Sequence, residues 1–84
     1  MPEEEVGIVD HWFGHLNVAG VRITNGSIKP GDTLHFKGHT TDFQETIGSV
    51  QLEHEDVPEG KAGDDVGIKI SQKVRPHDKV FKVT

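Results

Sequence analysis

Apolar residues recur at every second position along much of this chain, and turn-forming residues interrupt them at short intervals. In the stretch from Val18 to Phe36, Val21 and Ile23 fall on one face and Ile28 resumes the pattern. Leu34 and Phe36 then alternate with His35 and Lys37. A period of two predicts strands buried on one side. Asn25-Gly26 predicts a hairpin-type turn. Pro30-Gly31-Asp32 predicts another, with proline presetting φ and Gly31 free to take positive φ.

The flanking segments extend the same architecture. Residues 1–5 read as an acidic lead-in without fixed structure. Val6 to Phe13 is a first strand whose apolar residues switch parity, which predicts burial on both faces in places or a bulge. Gly38 to Asp42 is a polar loop, and Phe43 to Glu53 a strand that changes parity at Gly48-Ser49, where a bend is expected. A helix using Phe43, Ile47 and Val50 is the alternative there, and Gly48 weakens it. After a polar connection anchored by Val57 and Ala62, Val66, Ile68 and Ile70 point inward from the next strand. Ser71 to Asp78 turns the chain at Pro76, and Lys79 to Val83 closes it with Phe81 and Val83 inward. The expectation is an all-β fold, a single domain over 1–84 forming a small, six-stranded, closed or nearly closed β-barrel without internal repeats.

These motifs carry a family resemblance. The run from Val21 through Ile28 and Gly31-Asp32 to Leu34 resembles the opening of the second, β-barrel domain of elongation factor Tu and other translational GTPases. Gly63-Asp64-Asp65-Val66-Gly67-Ile68 is similar to that barrel's second signature, and Ile47-Gly48-Ser49-Val50 sits where the family has a strand with a serine and an apolar residue. The stretch Gly38 to Phe43 is similar to short, free-standing elongation-factor-like proteins, and a related barrel resembles the C-terminal appendage of a collagenase-like peptidase family. Gly26, Gly31, Asp32, Gly63, Asp64 and Gly67 are accordingly assigned to turns and close strand contacts rather than to a ligand.

The resemblance implies a non-catalytic binding module of the translation-factor domain 2 type. In that family the barrel contacts the acceptor end of aminoacyl-tRNA or the ribosome. Carried onto this chain, that gives His35, Lys37, His39, Thr40 and Asp42 as candidate contacts, with Lys69, Lys73 and Arg75 toward phosphate. The peptidase likeness implies instead a protein-interaction subunit docked on a larger enzyme.

Charge complicates the RNA reading. A net charge of −5 opposes general nucleic-acid binding, whose affinity comes largely from neutralising phosphates. Yet Lys69, Lys73, Arg75, Lys79 and Lys82 face only Asp78 within their segment. That segment is either a charged, aggregation-resistant edge or a strip facing phosphate or a partner. Trp12 has two readings as well: a cover over one barrel end, or an exposed ring that stacks on a base or anchors a protein.

Other chemistry is thinly represented. Gly60-Lys61-Ala62 and Gly38-His39-Thr40 lack the spacing and following helix of a phosphate loop, so no GTP binding is expected. No serine sits in a nucleophile elbow and cysteine is absent, which argues against a nucleophilic enzyme and thiolate metal sites. The six histidines include two near carboxylates, His39 with Asp42 and His54 with Glu55 and Asp56. They read as surface groups, and no metal or cofactor is expected. No apolar run approaches the roughly 20 residues of a membrane helix, and the acidic start is unlike a secretory leader, so the expected location is cytoplasmic. The partner expected is a protein or an RNA, and the sequence leaves the oligomeric state open.

Overall fold

The computed structural model describes residues 3–53 and 55–83. Its elements are β1 (Glu3–Phe13), β2 (Val18–Ile23), β3 (Ser27–Ile28), β4 (Thr33–Lys37), β5 (Asp42–Thr46), β6 (Val50–Leu52), β7 (Glu55–Asp56), β8 (Gly60–Lys61), β9 (Asp65–Lys69) and β10 (Lys79–Val83). Eight strands form one sheet in the order β5-β4-β10-β1-β2-β9-β6-β7, and β3 pairs separately with β8. All ladders are antiparallel. β5 and β6, consecutive in the chain, lie toward opposite edges of the sheet, so residues 47–49 carry the chain across its open seam. The result is a nearly closed barrel, and the long strand expected from Phe43 to Glu53 is broken at the predicted Gly48-Ser49 position. No helix among the described residues is long and apolar enough to cross a membrane.

The alternating positions fill the barrel. Val21, Ile23, Ile28, Leu34, Phe36, Ile47, Val50 and Ile68 are each at most 1% exposed, joined by Val6, Val9, Val74 and Val80. Several expectations require correction. Glu3 to Glu5 are paired strand residues opposite Phe81 to Val83, not an unstructured lead-in, while Met1 and Pro2 lie outside the described residues. Asn25-Gly26 does not close a hairpin: β3 pairs with β8, and Gly26 (φ 69°) turns a corner over β1. In β10 it is Val80 that is buried, because the strand's register sets it opposite buried Phe36; Phe81 packs instead near His35. Ala62 is exposed, whereas Val57 packs against the core.

A recurring turn holds the ends of the barrel. In Lys29-Pro30-Gly31-Asp32, the Asp32 amide donates to the Lys29 carbonyl (3.1 Å) and the Lys29 amide donates to the Asp32 carboxylate (3.0 Å). Lys61-Ala62-Gly63-Asp64 repeats both bonds at 2.9 and 3.0 Å, and Arg75-Pro76-His77-Asp78 repeats them at 3.1 and 2.9 Å. The third residue has positive φ each time: 96° at Gly31, 96° at Gly63 and 78° at His77. Each turn also exchanges two backbone bonds with one buried residue, Ile47, Ile23 and Val9 respectively. The Gly-Asp pairs assigned to folding are two of three copies of one device.

Candidate functional site

All the candidate residues but Lys69 divide between two places. His35, Lys37, His39, Thr40 and Asp42 lie on the β4–β5 hairpin, closed by a Gly38 amide to Thr41 carbonyl bond of 2.7 Å. His35 is already engaged: its Nδ1 lies 2.9 Å from a Glu3 carboxylate oxygen and its Nε2 2.5 Å from Asp42. The hydrogen bonds to Asp42 and then Glu3 raise the His35 pKa, and His35 in turn holds the Asp42 carboxyl below its usual range. This arrangement ties the start of β1 to the hairpin. His39 and Thr40 are exposed at its tip, and Lys37 faces solvent.

Trp12, Lys73 and Arg75 come together in an open cleft of about 520 Å³, lined also by His11, Val74 and Pro76. Buried Val74 pins the loop so that its cationic neighbours stand beside the indole. The orientation of Trp12 follows from a register shift between Val9 and His11. This bulge, of the kind the parity switch predicted, puts Trp12 opposite buried Ala19 and packs it against the core. Phe13 turns outward and is 39% exposed. Lys69 does not line this cleft; it lies on the outward face, paired in register with Val18.

A third feature escaped the sequence reading. On the outward face of β2 and β9 the register pairs are Val18 with Lys69, Gly20 with Gly67, and Arg22 with Asp65. Two side-chain-free positions face each other and leave a trough of about 250 Å³. His11, Phe13 and Leu16 contribute to its lining from the β1 side, and Gln51 and Glu53 from the β6 side. Asp10 and Asp65 are also among its lining residues. Burial, and then the hydrogen bond and charge of Asp65, raise the Asp10 pKa, with Arg22 and His11 opposing. Arg22 reaches Asp65 at 3.2 Å. The sequence did hold a clue, a glycine within each of two strands, but their juxtaposition depends on register.

Among the described residues, no three His, Asp or Glu side chains converge as a metal site would require. His54, of the candidate set with Glu55 and Asp56, lies outside the described residues.

Comparison with known proteins follows the same lines. Residues 17–80 match the elongation factor Tu domain 2 family. An uncharacterized protease of Methanocaldococcus jannaschii is 35% identical over 78 residues, which are 92% of this chain and 19% of that protein. A collagenase of Porphyromonas gingivalis is 29% identical over 72 residues, 84% of this chain and 20% of its own length. The chain thus spans about a fifth of the length of the curated relatives it matches. Among solved structures, the C-terminal domain of a Geobacillus thermoleovorans protein described as a U32 peptidase superposes with a TM-score of 0.88. It shares 21% identity, with 96% of this chain and 93% of that one covered, a likeness of fold.

Proposed function

This chain belongs to the elongation factor Tu domain 2 family, and from that premise we propose that it works as a non-catalytic docking module on a larger enzyme of the collagenase-like peptidase type. The observation that carries this reading is the alignment of 92% of the chain within 19% of a protease. In such an arrangement the remaining four-fifths of the relative supplies the catalytic machinery, and the barrel supplies contact surface. The exposed Phe13 and Leu16 suit that role, since apolar side chains at the surface favour protein contacts.

Affinity capture from lysate of the source cell tests it, repeated at low and high salt and after nuclease. Recovery of a large peptidase-like chain that survives both treatments is the expected result. Recovery of RNA or ribosomal material alone, abolished by nuclease or salt, overturns it and establishes a translation-associated role. One observation favours that second reading: Trp12 lies in a cleft with Lys73 and Arg75, a combination suited to stacking a base beside a phosphate. Replacing Lys73 and Arg75 by glutamate separates the two, abolishing RNA recovery while sparing a protein partner held elsewhere.

A further inference from the structure

We propose that the trough over the Gly20–Gly67 pair receives a lysine or arginine side chain, flanked by an apolar residue, from the protein on which this chain docks. The inference rests on the docking reading and names the surface and the chemistry of its occupant.

Three observations converge. The first is size: about 250 Å³ lies below the ~300–1,000 Å³ of sites that engulf a small-molecule ligand, and suits a side chain laid along the sheet. The second is the lining. Paired glycines lower the floor of the trough, so a long aliphatic stem can lie along it beside the Phe13, Leu16 and Val18 side chains, toward the Asp10 carboxylate near Gly20. Phe13 and Leu16 are exposed at 39% and 55%, so an apolar neighbour in the partner has a surface to cover.

The third is charge. Asp10 and Asp65 both line the trough, so that in the free protein two carboxyls share the same space. A cation between them relieves that repulsion, as Arg22 already does in part on Asp65. Glu53 adds a further carboxylate to the lining, with His11 on the β1 side. Lys69, paired with Val18 and four register pairs from Asp65, stands toward the opposite end, so the outward face is polarised along its length. The incoming cation therefore points toward Asp65 and not toward Val18. A nucleotide phosphate has the wrong charge for this end of the trough.

The test is titration of the isotopically labelled 84-residue chain, followed by amide NMR. The probes are the blocked peptides Ac-Leu-Lys-Leu-NH2 and Ac-Leu-Gln-Leu-NH2, and AMP. The lysine peptide is expected to shift the Gly20, Gly67 and His11 amides saturably. It should bind about fivefold more tightly than the glutamine peptide, the effect of one charge-assisted contact of about 1 kcal/mol. Asp10→Asn with Asp65→Asn should remove that preference. Leu16→Ser, at an exposed position that folding tolerates, should weaken both peptides alike. Equal affinity for the two peptides, shifts confined to the Trp12–Arg75 cleft, or tighter binding of AMP at Gly20 and Gly67 would overturn the inference. Enzyme capture that is indifferent to Asp10→Asn and Asp65→Asn removes this surface while leaving docking intact. Failure of the unmodified chain to capture any enzyme removes docking itself.

Discussion

The amide of His77 donates to the carbonyl of Val9 at 2.7 Å, and the Val9 amide returns a bond of 2.8 Å to the carbonyl of neighbouring Asp78. The same exchange joins Gly63 and Asp64 to Ile23, and Gly31 and Asp32 to Ile47. Only the third copy places a residue with a side chain at positive φ. A left-handed conformation costs a non-glycine residue about 1–2 kcal/mol, against ~0.5–1 kcal/mol for the extra freedom of glycine in the unfolded chain. His77→Gly should therefore stabilise the protein by about 0.5 kcal/mol, a Tm rise of roughly 2–4 °C. Gly31→Ala and Gly63→Ala have open space around the new Cβ, so each should cost the same net backbone difference with the opposite sign, about 0.5–1 kcal/mol. Thermal melts of the three variants check both signs.

Gly60 presents a different constraint. It is buried, and a Cβ there would stand 2.7 Å from Val66 Cγ1 and 2.8 Å from Ile23 Cδ1. Both neighbours belong to the core, so the barrel must shift to accept a methyl group. Gly60→Ala should cost about 1–3 kcal/mol in chemical denaturation, the usual range for overpacking. A neutral result would show that the β3–β8 pair moves freely over the core.

Gly20 faces an obstacle that yields more easily. Its Cβ would meet the Asp10 carboxylate at 2.8 Å, the end of a movable side chain. Gly20→Ala should push Asp10 away from Asp65 and bring the Asp10 pKa back toward the ordinary carboxyl range. Alanine in place of a strand glycine should also recover about 0.5 kcal/mol. Side-chain NMR titration reads the first effect and denaturation the second.

His35 governs the pH dependence. Its pKa is raised in the folded protein by Asp42 and Glu3, so the contribution of the clamp is fully present below the ordinary histidine value of about 6.5. It fades as pH rises through the raised folded value. Asp42, held low, loses its part only on strong acidification, as pH falls through its depressed value. The stability difference between the wild type and His35→Gln should thus be largest in mildly acidic solution and shrink toward alkaline pH. A difference that grows with pH would contradict the clamp.

The sequence by itself determined the β class, the positions of the longer strands and most of the core. Val21, Ile23, Leu34, Phe36, Val66 and Ile68 are buried where period-two alternation puts them, because each strand has one wet face and one dry face. It also marked the bend at Gly48-Ser49 and two Gly-Asp turns. It placed a third turn at Pro76 as well, but hid that turn's kinship with the other two, because Arg75-Pro76-His77-Asp78 shares geometry with Lys29-Pro30-Gly31-Asp32 but lacks its glycine. What tertiary structure alone decided is pairing. Asn25-Gly26 looks like a hairpin locally, yet β3 finds its partner in β8, far along the chain, because burying Ile28 outweighs closing a local loop. A single bulge at Asp10 chose Trp12 over Phe13 for the core, and one register brought Gly20 opposite Gly67. A side-chain period of two makes every such choice depend on a one-residue slip, which distant strands fix and local sequence does not.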